Sequence, residues 1–229
     1  MGPLVAPDAS IPVAVDNLRV VQKSDRFYLS WGAPAKDLSG RPLQGLAGFK
    51  LLRRQVLPPN EDCEECADAY RTVRTVNLDY LKETRRFDNL FVVTDTGLVP
   101  GDTYQYRVIA FKNDGTESAR SNPARRTLLP APAAPVLKAT PVPDGVDLSW
   151  EAPAIGAKPT GYDLYRRKKN DINSLVILNG TPITGTRFED RSAEPGVIYL
   201  YSVRGVATTE GEALEGALSN EVAASRPAR

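Results

Sequence analysis

The 229-residue sequence contains no histidine, two cysteines, two tryptophans and a single methionine, Met1. Without imidazole there is no Ser-His-Asp or Cys-His catalysis and no His-ligated metal site. No run approaches the roughly 18 consecutive apolar residues that a membrane helix needs. A Gly-rich phosphate loop, a nucleophile elbow and a metal-ligand cluster are also missing, so no catalytic residue, metal or cofactor is expected. Neither sign of charge is in excess: 29 Lys and Arg face 28 Asp and Glu, a net charge of +1. That balance gives no reason to expect nucleic acid or an anionic membrane surface as the main partner. What is present reads as a soluble, folded chain, 41% hydrophobic and 25% charged, with 19 prolines and 17 glycines to supply turns.

Internal repetition gives the organisation. Leu29-Ser30-Trp31-Gly32-Ala33-Pro34 recurs as Leu148-Ser149-Trp150-Glu151-Ala152-Pro153. Gly48-Phe49-Lys50-Leu51-Leu52-Arg53-Arg54 recurs as Gly161-Tyr162-Asp163-Leu164-Tyr165-Arg166-Arg167. Pro100-Gly101 with Tyr104, Tyr106 and Val108 returns as Pro195-Gly196 with Tyr199, Tyr201 and Val203, and Ser121-Asn122 returns as Ser219-Asn220. Four blocks in the same order mark two copies of one module. The first copy is longer, chiefly between its second and third blocks, which places an insertion at about 55–82. Between the copies, Leu129 to Pro135 carries three prolines and reads as a stiff, extended linker.

Within each copy the period is two. Phe27, Leu29 and Trp31 alternate with Tyr28 and Ser30, and Val146, Leu148 and Trp150 repeat that face. Strands are expected near 16–21, 26–31, 47–55, 70–76, 85–93, 103–112 and 117–127, then near 135–140, 145–150, 161–168, 174–178, 185–190, 197–207 and 216–224. Asp68 to Leu81 reads equally as helix. Seven short strands per copy predict an all-β chain of two tandem antiparallel β-sandwiches.

These motifs resemble fibronectin type III domains over roughly 13–128 and 131–226. The resemblance rests on Leu-Ser-Trp before a proline, Gly-aromatic opening the next strand, Pro-Gly before Tyr-x-Tyr-x-Val, and Ser-Asn in the last strand. It implies an immunoglobulin-like sandwich with Trp31 and Trp150 in the core. It also places Tyr104 and Tyr199 at tyrosine corners, their rings buried and their hydroxyls bonded to backbone. Leu98 precedes the first Pro-Gly, whereas Ala193 takes that place in the second copy. The implied organisation is an extended tether at 1–12, a domain at 13–128 with the insertion at about 55–82, a linker at 129–135 and a domain at 136–226. In addition, Gly2-Pro3-Leu4 with the proline-rich residues behind it resembles the start of small Gram-negative outer-membrane lipoproteins after their lipidated cysteine. That resemblance implies export, with a periplasmic or outer-membrane location and a lipid anchor as the membrane contact.

Cys63-Glu64-Glu65-Cys66, inside the insertion, is the sharpest local feature. A local disulfide needs only an oxidising compartment and is favoured. Redox use is opposed by the surrounding Glu61, Asp62, Glu64 and Glu65, which disfavour a thiolate. Metal capture would need further ligands that two cysteines do not supply. The pairs Arg53-Arg54, Arg85-Arg86, Arg125-Arg126 and the run Arg166-Arg167-Lys168-Lys169 read as solvated faces balanced by acids. Glu61/Asp62 and Glu189/Asp190 are paired carboxylates without a recognisable pocket. Asn179-Gly180-Thr181 is a glycosylation sequon that also spells a turn. The expectation is a non-enzymatic exported binding or spacer protein with a protein partner, contacted through the insertion. Alternatives are a thiol-disulfide redox protein using Cys63 and Cys66, or accessory domains of a carbohydrate-active enzyme.

Overall fold

The computed structural model describes residues 10–66, 68–209 and 211–228. Most of the expected tether, including Gly2-Pro3-Leu4, lies outside the described residues. Contacts divide the chain into two compact units, one built on Arg26–Leu128 with the residues ahead of Gln22, the other on Leu129–Arg229 with Gln22–Asp25.

In the first unit, β1 (Arg19–Lys23), β2 (Arg26–Gly32), β6 (Leu90–Asp95) and β5 (Thr84–Phe87) form one sheet in that order. The other sheet runs β4 (Arg71–Asn77), β3 (Leu46–Val56), β7 (Thr103–Lys112) and β8 (Ala124–Thr127). The β2–β6, β5–β6, β3–β4, β3–β7 and β7–β8 pairings are antiparallel. Period-two alternation sends Phe27, Leu29, Trp31, Phe91 and Val93 inward from one sheet to meet Phe49, Leu51, Tyr106 and Val108 from the other. Trp31 packs edge-on to Phe49 with ring centroids 5.5 Å apart and stacks on Phe91 at 6.2 Å.

The second unit repeats this plan. β9 (Val136–Val142), β10 (Gly145–Glu151) and β13 (Arg187–Asp190) make one sheet. The other is built from β12 (Val176–Ile177), β11 (Gly161–Lys168), β14 (Tyr199–Thr209) and β15 (Glu212–Leu218), with β16 (Val222–Ala224) also pairing β14. Trp150 meets Tyr162 edge-on at 5.3 Å, as Trp31 meets Phe49. The surroundings of the two tryptophans are therefore alike. The linker segment lies on this unit: Pro132 accepts a hydrogen bond from the Ala217 N–H. A Cβ on Gly216 would come within 2.4 Å of the Pro132 carbonyl oxygen, so glycine permits that approach.

Two polar devices recur at matching positions. Ser121 Oγ accepts the Val108 N–H and Asn122 brackets Leu18, accepting its N–H and donating to its carbonyl. Ser219 does the same for Val203, and Asn220 for Leu137. The Ser-Asn motif thus ties the last strand region to the first strand region of its unit.

The second device is a buried ionic knot between the sheets. Arg53 and the Tyr106 hydroxyl both donate to Asp95 Oδ2, at 2.8 and 2.7 Å. Arg166 and the Tyr201 hydroxyl both donate to Asp190 Oδ2, at 2.7 and 2.9 Å. Arg53 also lies over the Tyr104 ring and Arg166 over the Tyr199 ring. Burial opposes the charge on Asp190, but Ser192, Arg166 and Tyr201 outweigh it, and its carboxyl sits below the usual range.

Several expectations need correction. The strand expected over 85–93 is a hairpin, β5 and β6, turned at Asp88-Asn89 with Asp88 at φ +50°. It brings an eighth strand to the first unit. The strand expected over 117–127 is reduced to β8 and a bridge at Glu117, and 216–224 is split at Ser219-Asn220. In both places the Ser-Asn side chains take over the bonding of a regular ladder. Asp68 to Leu81 holds β4 and turns among its described residues, and no helix. Arg53 and Arg54, expected as a solvated face, are 8% and 6% exposed. Tyr104 makes its corner bond to backbone, accepting the Val99 N–H at 3.0 Å, whereas Tyr199 bonds the Glu194 carboxylate at 3.1 Å.

Each unit holds one tryptophan, which makes their unfolding separately readable. In a Trp31→Phe background, Asp190→Ala is expected to destabilise the Trp150-reported transition by about 3–5 kcal/mol, the cost of stranding Arg166. Urea unfolding followed by fluorescence measures it, and the Trp31-reported transition in a Trp150→Phe background should not move.

Candidate functional site

The first unit's insertion begins where β3 ends, and it lies down on the outer face of its sheet. Cys63 and Cys66 form a disulfide, and both residues are exposed. The acidic residues between and beside them do not all face water. Strand alternation turns Arg53 between the sheets and Arg54 outward, where the loop covers it.

Arg54 donates to Asp62 Oδ1 at 2.5 Å and to Gln105 at 3.0 Å, and lies 3.5 Å from Glu64 Oε2. Glu64 Oε1 accepts from Arg107 at 2.5 Å, from Gln105 at 2.7 Å and from the Tyr70 hydroxyl at 2.9 Å. Asp62 also accepts the Leu57 N–H. Arg120 covers the Tyr70 ring at 4.9 Å. The loop is therefore pinned by two carboxylates to two arginines projecting from β3 and β7.

The charges reinforce one another. Arg54 holds the Asp62 carboxyl below its ordinary value, helped by the Leu57 N–H. Arg107 does the same for Glu64, against the effect of burial. Burial pushes the Tyr70 hydroxyl up. Burial works against the charge on Arg54 and Arg107, yet their carboxylate partners raise both above the usual guanidinium value. Such a fixed loop presents a surface without first having to be ordered. Glu61, Glu65 and Asp68 are its exposed acids.

The other sequence candidates are dispersed. Trp31, Trp150, Tyr104 and Tyr199 are buried in the two cores. Glu61/Asp62 and Glu189/Asp190 make no joint site, because Asp62 and Asp190 are each committed to an arginine. The Asn179 amide donates to the Tyr162 carbonyl, Asp163 and the Thr181 carbonyl and accepts the Leu164 N–H, so the sequon serves the turn. Arg167 pairs with Glu221, the counterpart of Arg54 without a covering loop. Among the described residues no group of three or more Cys, Asp or Glu is placed to hold a metal, and no helix is long and apolar enough to cross a membrane. Sequence reading missed the roles of Gln105, Arg107 and Tyr70. Their signal was present only as polar residues alternating with a core face.

No family model matches the chain. A solved structure of the chicken CNTN1 FN1–FN3 domains is similar to it at 13% identity, over 95% of this chain and 66% of that one, with a TM-score of 0.41. The strand order within each unit, with its repeated motifs, is fibronectin type III-like.

Because Asp62 and Glu64 titrate below their ordinary values when docked, their contribution is complete above the usual carboxylate range of about 4 and disappears as pH falls through the lowered values. Hydrogen exchange should show the Leu57 amide and its loop opening on acidification below about pH 4 while the strand amides stay protected.

Proposed function

We propose that the chain is a non-enzymatic, exported binding or spacer module, held to a membrane at its N-terminus, and that the disulfide-stapled loop meets a protein partner. The observation that carries this reading is the clamp on Glu64, which fixes an exposed loop on a rigid sheet. Binding residues on loops held by a rigid scaffold are a recurrent arrangement. The second unit builds the same sandwich without such a loop, so the stapled segment ahead of β4 lies outside the shared sandwich and is available for recognition. An exposed disulfide fits an oxidising compartment, which supports export. The tether and lipid anchor rest on the likeness of Gly2-Pro3-Leu4 to lipoprotein N-termini.

The accessible disulfide also favours a second reading, thiol-disulfide exchange through Cys63 and Cys66. That reading needs a thiol pKa below the free value. The acidic residues around the pair act in the opposite direction. An insulin-reduction assay with a thiol titration separates the two. Turnover would favour exchange, and a pKa at or above the free value would remove it.

The binding reading predicts that replacing residues 58–69 by a short Gly-Ser link abolishes affinity capture of the partner from the native envelope. The Trp150-reported unfolding should be unchanged. Capture at the wild-type level by the loopless chain would overturn the assignment of the loop.

A further inference from the structure

The two carboxylates that dock the insertion sit on either side of one half of its disulfide. Asp62 precedes Cys63, and Glu64 follows it inside the four-residue ring that the Cys63–Cys66 bond closes. Arg54 serves both, donating to Asp62 Oδ1 at 2.5 Å and lying 3.5 Å from Glu64 Oε2, while Arg107 donates to Glu64 Oε1 at 2.5 Å. Beyond the ring, the Ala69 N–H donates to the Cys66 carbonyl at 3.0 Å and the Tyr70 hydroxyl returns to Glu64. Both cysteines are exposed, whereas Arg54 is buried. The sulfurs can thus be reached from solvent while the residue between them is committed to the sheet.

Closing the ring restricts the backbone of residues 63–66, so the spacing of the Asp62 and Glu64 carboxylates is largely set before the loop meets the sheet. Opening the ring returns that freedom. Docking must then order the segment as well as pair its charges. Bond closure and docking therefore favour one another, and the factor is the same in both directions.

We propose that the Cys63–Cys66 bond is a redox switch on the docking of the loop, opened by a dithiol reductant. A reductant thiolate attacks one exposed sulfur, the Cys63–Cys66 bond breaks, a mixed disulfide forms and the departing cysteine takes up a proton. The second thiol of the reductant gives up its proton, attacks the mixed disulfide and releases the other cysteine. Two electrons and two protons have then passed from the dithiol, now a disulfide, to the cysteine pair. The chain is the substrate of this exchange and not its catalyst. Reduction unfixes the surface that a partner would meet. That consequence rests on the binding reading above, whereas the coupling of bond to dock does not.

The test equilibrates the full chain, without a partner, in graded ratios of reduced and oxidised dithiothreitol, and reads the dithiol fraction from the mass of the alkylated protein. At about pH 7, below the usual free-thiol value of about 8.5, the product thiols stay protonated and local charge drops out of the equilibrium. Amides around Leu57 and Tyr70 are expected to exchange faster in the reduced chain, with β3 and β7 equally protected in both states. Arg107→Met and, from the loop side, Glu64→Gln should each shift the equilibrium towards the dithiol about fivefold, the lower end of usual couplings. Arg85→Gln removes a charge from exposed β5 in the other sheet and should not shift it. Equal loop exchange in the two redox states, or the wild-type equilibrium in both clamp variants, overturns the proposal. The Trp31 unfolding transition separates lost docking from lost fold, and if Arg107→Met unfolds the unit, Glu64→Gln carries the test. Failure here leaves the binding reading standing, and wild-type capture by the loopless chain overturns that reading without touching the coupling.

Discussion

Two consecutive arginines on β3 organise the first unit. Arg53 points between the sheets and is neutralised by Asp95, with Tyr106 sharing the same carboxylate oxygen. Arg54, one residue on, points the other way and is neutralised by Asp62 and Glu64 from the insertion. A guanidinium cannot shed its proton, so burying one demands a carboxylate partner wherever it points. Placed on adjacent residues of a strand, this demand fixes the packing of the two sheets and the docking of the loop from a single position. Both arginines are buried because both sides of the strand are covered.

The second unit shows what happens when only one side is covered. Arg166 repeats the inward knot with Asp190 and Tyr201, while Arg167 pairs with Glu221 at a more open surface. The module therefore has a constant interior and a variable exterior. Trp31 against Phe49 and Trp150 against Tyr162 belong to the constant part, together with the Ser-Asn brackets. The disulfide loop and β5 belong to the variable part. Recognition is proposed to reside there, since nothing in that part is required by the sandwich itself. The indole N–H groups of Trp31 and Trp150 are both buried without an acceptor among the described residues, which again marks the two cores as copies of one solution.

Much of the architecture was legible because it repeats. Alternating apolar residues and duplicated motifs locate the core-facing strands, and the Cys63–Cys66 disulfide was the favoured of three readings of that pair. Interruptions were less legible. The single strand expected over 85–93 conceals a hairpin, because Asp88-Asn89 separates two short segments that each pair as strands. Arg53-Arg54 read as solvent-facing because a charged pair gives no sign of which carboxylates the fold will bring to it. Asp95 lies on β6 of the facing sheet and meets Arg53 only through the packing of the two sheets, whereas Asp62 reaches Arg54 through the fold-back of the loop that follows β3.

The division of labour between adjacent arginines is most directly tested by comparing Arg53→Met with Arg54→Met, which keep much of the aliphatic volume and remove the charge. Hydrogen exchange across the first unit, read together with its Trp31 unfolding transition, reports both sides at once. Arg53→Met should lower the stability of the whole unit, stranding Asp95. Arg54→Met should speed exchange in the segment around Leu57 and Tyr70 and leave the transition nearly in place. Equal global destabilisation by the two changes, or undiminished loop protection in Arg54→Met, would contradict the account.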